Sequence, residues 1–507
     1  MQLLTAPSHI SISGGTGVEL GYVINPICGF VRIPVGRVKT HESASPAQLF
    51  SATKSTSQPT PSRSVGRKKG GGVDEDEESR IRPASPLTHD EGHSVHQRWV
   101  KLGQDLGLHS QTRAAPPQLA LAEAQINGLT APPAQLKYVR AGQTVLKDQT
   151  VDDKVNNQND AFKLLLKTFI EDPELPQISS KDDIEIACHR VVHGGDYTTS
   201  RLINLGTYIH LEELTDLAPL HNVKALQIVK SCITELPDAA NVAYFDSQFH
   251  ATIPEHIHTY PINQDVARNN QLRKYGFHGI SYQFITNSVA HFLDKNTRDL
   301  NIIALHLGSG ASACAIKAGA SWDNSMGLTP LAGLPGATRS GSVDPSLVFH
   351  YASDVGKLSP SSTKELHISR AEEILNQESG WKAMTGTTNF GVIASSDEPR
   401  CKLAFDMMVD RISAYVGGYY VSLGGAVDAL VFAGGIGEKS DKLRRCVVEQ
   451  VGCLGFEIDD ERNAKPIQET VQEVGKEGAK HRTLVCITDE QWEMARGCAE
   501  NPDLWKS

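Results

Sequence analysis

Apolar residues in this chain fall into two patterns that take turns. Short, mostly apolar runs lie at residues 184–192, 242–245, 302–307, 311–316, 429–433 and 483–487. Longer stretches at residues 156–170, 226–236, 281–293 and 401–423 repeat an apolar residue every three or four positions. The runs predict buried strands, and the longer stretches predict helices with one face on a core. In the first helix that face is Phe162, Leu165, Leu166, Phe169 and Ile170, and Asp172-Pro173 supplies the stop. Residues 136–140 and 144–146 flank Gly142 and predict a hairpin. Gly434, Gly435, Ile436 and Gly437 open a further helix, and a last one begins near Asp489. Strands and helices that alternate in this way predict an α/β fold.

Residues 1–118 break the pattern. Residues 40–64 are rich in Ser, Thr, Pro and Ala, followed by Arg67, Lys68 and Lys69, three glycines and an acidic run at 74–78. Such a stretch buries too little to offset its chain entropy, so a largely disordered or aberrant N-terminal region is expected. His89, His93 and His96 have metal-like spacing but sit on polar sequence, where solvated side chains are the plainer reading. The basic triplet reads as a solvated charge run rather than an import signal. The whole chain of 507 residues has a net charge of −10, which argues against bulk nucleic-acid or acidic-membrane binding. Its nine cysteines form no CxxC pair, and several lie inside apolar runs, as expected of reduced thiols in a cytoplasmic protein. No apolar run approaches the roughly 20 residues that span a bilayer.

Candidate chemistry gathers at strand ends. Gly308-Ser309-Gly310 joins two predicted strands and exposes backbone N–H groups of the kind that cradle phosphate, although a plain hairpin reads the same way. Arg339 stands beside Gly341 and Asp344 in a loop that no core requires. Arg190 and His193 follow the run at 184–192, His221 lies in LAPLHN, and Asp246, Phe249 and His250 follow the run at 242–245. His278 precedes Gly279. Each histidine alone is more simply a core or loop residue. Together, beyond the carboxyl ends of strands, these groups predict a site that moves a phosphoryl group. No GxxxxGK[ST] loop and no protein-kinase signature is present.

The segments HRVVHGG, APLHN, FDSQFHATIP, RKYGFHGISY, HLGSGAS, SMGLTPLAGLPGATRSG and VFAGGIGE stand in this order. In order and spacing they resemble the acetate kinase family, and LTAPPAQLKYVRAGQTV with GTTNFGV resembles its fungal branch. The likeness runs from about residue 119 to the end. It implies the fold of the acetate and sugar kinases, heat-shock ATPases and actin, with two related α/β domains and a cleft between them. Domain I would be residues 119–248 completed by the C-terminal helix at 488–507, and domain II residues 249–487. The resemblance also implies reversible phosphoryl transfer between ATP and acetate, giving acetyl phosphate and ADP with Mg²⁺. It places Arg190 and Arg339 around the carboxylate and phosphoryl group, with His278 donating to that group and His221 supporting it. Asp246 takes the place of an essential carboxylate, and Glu490 would help hold magnesium. An acyl pocket would comprise Val192, Leu220, Phe277 and Pro330. The phosphates would meet His306, Leu307, Gly308, Ser309 and Gly310, and the nucleotide Asp397, Gly434, Gly435, Ile436 and Gly437. A cytoplasmic homodimer that binds neither nucleic acid nor membrane is implied.

Three departures bear on this expectation. The family's first strand runs into Asn-x-Gly-Ser-Ser-Ser, which nothing here matches; residues 11–17 and 23–25 are superficial echoes, so the first sheet is expected to lack a strand. Ser309 replaces the usual asparagine, and Arg400 stands one position late relative to Asp397. The missing motif makes a catalytically impaired relative one alternative, and a propionate or butyrate kinase is the other.

Overall fold

The computed structural model describes residues 8–14, 19–26, 121–127, 133–152, 155, 157–216, 219–351, 357–360, 362 and 368–504, without the side chains of 8–14, 19–26, 127, 216, 219–221, 224 and 351. His89, His93, His96 and the basic triplet therefore lie outside the described residues.

One sheet carries the first half of the chain. Its strands are β1 (Ser8–Gly14), β2 (Glu19–Pro26), β3 (Ala122–Asn127), β4 (Gln135–Arg140), β5 (Gln143–Thr150), β6 (Ile184–Val191), β7 (Arg201–Leu202) and β8 (Ala240–Phe245). They lie in the order β5-β4-β3-β2-β1-β6-β8-β7. β1, β6 and β8 run parallel, whereas β2 to β5 form an antiparallel meander. The β4–β5 hairpin turns on Ala141 and Gly142, both at positive φ, as a tight two-residue turn requires. The expected gap in this sheet is filled. Ser8–Gly14 alternates its two isoleucines with polar residues, and that period is all a strand needs. A backbone ladder does not depend on residue identity, so the strand forms without the family's motif.

Helix α1 (Gln158–Ile170) caps its N-terminus with the Asn157 side chain and turns Phe162, Leu165, Leu166 and Phe169 onto one face of this sheet. Helix α2 (Pro219–Glu235) adds Ile228 and Cys232 to the same core. It starts seven residues before the apolar period suggests, because proline suits a first helical turn, where no N–H partner is needed. Residues 219–222 of LAPLHN are thus a helix start rather than a loop.

The second sheet holds β9 (Ile302–Leu307), β10 (Ala311–Lys317), β11 (Ala320–Asn324), β12 (Ala429–Ala433), β13 (Val471–Glu473) and β14 (Arg482–Cys486), ordered β11-β10-β9-β12-β14-β13. Along β9, Ile303, Leu305 and Leu307 face one core, shared with Met408, Ile412 and Val416 of α4 (Pro399–Ser422). Ile302 and Ala304 face the other, shared with Phe284, Ile285 and Val289 of α3 (Gly279–Phe292). Burial on both faces explains why β9 and β12 read as continuous apolar runs. α5 (Gly434–Lys439) follows β12, and α6 (Glu490–Glu500) returns to the first sheet, packing Met494 and Cys498 on Ile186, Cys188, Val242 and Tyr244. No helix among the described residues is long and apolar enough to cross a membrane.

Candidate active site

Strand parity aims the first set of groups. Ile186 and Cys188 of β6 face α6, so Arg190, two residues further, faces the same way, and Asp246 follows Val242 and Tyr244 on that face of β8. Arg190 and Tyr244 are register partners at the carboxyl ends of the parallel strands. Arg190 donates from Nε and Nη2 to the two oxygens of Asp246, at 2.9 and 2.8 Å. Its Nη1 donates to Glu490 Oε2 at 2.6 Å, from a residue 300 positions away. Glu490 Oε1 also accepts from the Ser281 hydroxyl at 2.5 Å. Three of the five guanidinium N–H groups are thereby spent, and two are left for a ligand. The Arg190 side chain is 14% exposed and Glu490 13%, whereas Asp246 is nearly sealed at 2%. Burial pushes the Asp246 carboxyl above its ordinary range, against the pull of Arg190. The two carboxylates hold the Arg190 guanidinium more firmly protonated than usual despite its burial.

A tight contact brings His278 to this cluster. Gly279 N–H donates to the Asp246 carbonyl at 2.7 Å, and a Cβ on Gly279 would lie 2.3 Å from that oxygen. Only glycine fits. His278 caps α3 in the left-handed region, φ 61°, a strained position for a non-glycine residue and a common one at functional sites. His306 points to the same place by parity, since it shares the Ile302 and Ala304 face of β9, and its ring lies 4.3 Å from that of His278. His306 Nδ1 is buried with no hydrogen-bond partner among the described residues. Burial, aided by His306, Arg190 and Arg339, holds His278 well below the usual histidine range, so it is neutral at physiological pH.

The glycine turn and the arginine loop meet as the third part. Ala337 N–H donates to the Ser309 carbonyl at 2.8 Å, and a Cβ on Gly310 would lie 2.9 Å from Arg339 Nη2. Arg339 is buried and donates from Nη1 to the Pro330 carbonyl at 3.1 Å. Burial brings its guanidinium down to about 10, with Arg190 adding to the drop and Asp246 opposing it, so it too is charged at neutral pH. Gly434 starts α5 directly against the Leu307 backbone, which joins the two glycine segments. Val192 and Phe277 pack with Tyr275 and Met326 in a small apolar cluster.

Some residues singled out in the sequence are scaffold. His250 bonds Ser321 through Nδ1 at 2.7 Å and the Phe277 carbonyl through Nε2 at 2.9 Å. His193 accepts Gly195 N–H at Nδ1 and contacts the Leu328 carbonyl at 3.1 Å. Asp344 is exposed and accepts from Ser346. Asp397 is exposed on the loop before α4. Leu220 and His221 lie in the first turn of α2, but their side chains are outside the described residues. Sequence reasoning missed Ser281, Ser312 and Tyr282, which bear no signal apart from their neighbours in space.

Burial lowers His189, His193, His250 and His306 from 6.5 to about 4. Such a ring protonates in the unfolded chain before it does so in the folded one. Its contribution to stability is complete above pH 6.5 and declines as pH falls toward 4. In His189→Gln, stability measured by urea unfolding should therefore fall less steeply over that interval than in the parent protein. An unchanged slope would contradict a buried neutral His189.

Comparison with known proteins gives a consistent picture. The profile of the Acetokinase family matches residues 117–496, so β1 and β2 lie outside it. A protein of Chaetomium globosum described as "Probable acetate kinase" is 62% identical over 430 positions, spanning 77% of this chain and 94% of its own. The crystal structure of Porphyromonas gingivalis acetate kinase superposes with a TM-score of 0.65 at 30% identity, over 78% of this chain and 96% of that one. A propionate kinase from Francisella tularensis superposes with a TM-score of 0.64 at 29% identity, over 75% and 92% of the two chains.

Proposed function

The chain belongs to the acetate kinase family, and from that premise we propose that it transfers the terminal phosphoryl group of ATP reversibly to acetate, giving acetyl phosphate and ADP. The observation that carries this reading is the meeting of Arg190, Asp246, Glu490, His278 and Arg339 beside a glycine turn. An acetate oxygen forms the new bond to phosphorus while the bond to the ADP oxygen breaks. The attacking oxygen is already an anion, so no proton has to be removed. The barrier lies in bringing a carboxylate up to a polyanion, and cationic or neutral donors fixed in advance lower it. Arg190 and Arg339 supply the cations and His278 a neutral donor, with His221 as a further support by resemblance.

Gly308 to Gly310, with His306 and Leu307, would cradle the phosphates, and Gly434 to Gly437 the rest of the nucleotide, with Asp397 beside it. The described residues contain no group of three or more metal-ligating side chains. They do bring two carboxylates to one guanidinium, which fits a magnesium ion that keeps most of its water and rides on substrate phosphates. Glu490, with Asp246 behind it, would hold that ion, which when bound offsets phosphate charge. A homodimer is the proposed assembly, and the exposed Leu403 and Val421 on α4 offer apolar surface for it.

The case for an impaired relative rests on the missing Asn-x-Gly-Ser-Ser-Ser clamp; β1 supplies a strand beside β6 but not the clamp's residues. Val192, Phe277 and Pro330, with Leu220, favour a methyl group over longer chains. Hydroxamate trapping with ATP, Mg²⁺ and a carboxylate series should show kcat/KM for acetate above that for propionate by about 10- to 200-fold, the value of one methylene. Preference for propionate would move the assignment to a propionate kinase. No hydroxamate from folded, ATP-binding protein would favour the impaired relative.

A further inference from the structure

Tyr282, Ser312 and His278 form a chain of side chains behind the site. Ser312 Oγ lies 2.8 Å from His278 Nδ1 and 2.7 Å from the Tyr282 hydroxyl. Ser312 and Tyr282 are fully buried and His278 is 7% exposed. Away from water, each hydroxyl proton must be placed on another member of the chain. Ser312 is the register partner of His306 across β9 and β10, so it faces α3 as His306 does. Tyr282 stands one turn into α3, its N–H bonded to the His278 carbonyl at 3.0 Å.

Proton counting along this chain has one outcome. Among the described residues the Tyr282 hydroxyl has one hydrogen-bond partner, Ser312 Oγ. A phenol has a single proton, and the acceptor beside it is Ser312 Oγ. The serine proton is then directed to His278 Nδ1, which must be the bare nitrogen of the ring. A neutral imidazole keeps one proton, and it is left on Nε2. Among the described residues Nε2 makes no hydrogen bond, and it is not sealed as His306 Nδ1 is.

We infer that Tyr282 and Ser312 are positioning residues that set His278 in its Nε2–H tautomer, so that the open edge of the ring presents a donor to the transferring group. The opposite tautomer would present a lone pair to phosphoryl oxygens and repel them. The depressed proton affinity of His278 supports the arrangement, because it leaves a tautomer rather than a charge to be chosen. The catalytic consequence rests on the phosphoryl-transfer reading; the tautomer itself does not.

The test uses the full chain labelled with ¹⁵N-histidine, with long-range ¹H–¹⁵N correlation to read the protonated nitrogen of each ring. His278→Gln assigns the signal. The parent protein should show Nε2 protonated and Nδ1 bare at His278. Tyr282→Phe, two bonds away from the ring, removes the proton that orients Ser312, so a mixture of tautomers should appear. Ser312→Ala should do the same, and Ser312→Thr should restore the parent pattern. In the acetyl phosphate assay, kcat should fall about 10- to 100-fold in Tyr282→Phe and Ser312→Ala, with KM for acetate within twofold, as for a misdirected donor. A bare Nε2 in the parent protein overturns the inference whatever the activity. A parent tautomer that persists in folded Tyr282→Phe overturns the relay. If Ser312→Ala does not fold, the parent protein and Tyr282→Phe decide the matter. Correct tautomers in a protein without activity would instead count against the phosphoryl-transfer reading alone.

Discussion

Arg190→Ala is expected to lower kcat for acetyl phosphate formation by about a thousandfold or more, the scale of an arginine that offsets charge on a transferring phosphoryl group. The loss should exceed that of any other single substitution, because this guanidinium also ties Asp246 to Glu490. Its removal leaves the nearly sealed Asp246 carboxylate without a counter-charge, which typically costs about 3–5 kcal/mol of stability. The two consequences separate experimentally. In Arg190→Ala/Asp246→Asn the stranded charge is gone, so the melting temperature should recover much of its fall while activity stays lost. Arg190→Lys keeps the charge but not the fork that spans two carboxylates, and should recover little activity. If Arg190→Ala retains a tenth of parental kcat, Arg190 does not touch the group in transit.

Ile12→Pro should destabilise the protein by about 3 kcal/mol or more and reduce its activity with it. Residue 12 lies in the middle of β1, in register with Tyr22 of β2 on one side and His189 of β6 on the other. Proline lacks the N–H of a central ladder and is accepted only on edge strands or bulges. The effect should reach the site, because His189 immediately precedes Arg190 on the strand that aims the guanidinium. Deleting residues 1–26 should act in the same direction and more strongly. A chain whose melting temperature and turnover are indifferent to Ile12→Pro would mean that β6 has no partner in β1. The antiparallel meander would then have no link to the parallel strands.

Much of this was readable residue by residue. Residues 302–307 and 429–433 are strands with the bounds their apolar runs suggested, because glycine ends both and both faces are buried. The first helix begins at Gln158, two positions inside its expected start, since Asn157 stands outside the turn it closes. The start of α2 is not legible from periodicity, because its first turn lacks an apolar period. β1 carries no family motif, and its two-residue alternation is the signal that marks it as a strand. Among the histidines, His193, His250 and His278 looked alike in sequence. Two are satisfied within the scaffold, and only His278 keeps a ring nitrogen open beside Asp246 and Arg339.

By itself the sequence determined the α/β class, the family and most of the residue types in the site. Periodicity and motif order are properties of neighbours along the chain, so they survive without a structure. The tertiary structure alone decided which of those residues meet and which way they point. Arg190 reaches Glu490 across 300 residues because α6 returns to cover the face of β6 that strand parity assigns to Arg190. His278, Ser312 and Tyr282 form a proton chain because α3 begins where β9 and β10 turn their shared face toward it. Such contacts depend on sheet register and on the face to which a helix returns. Both are set by packing the whole core at once, and no local stretch of sequence encodes them.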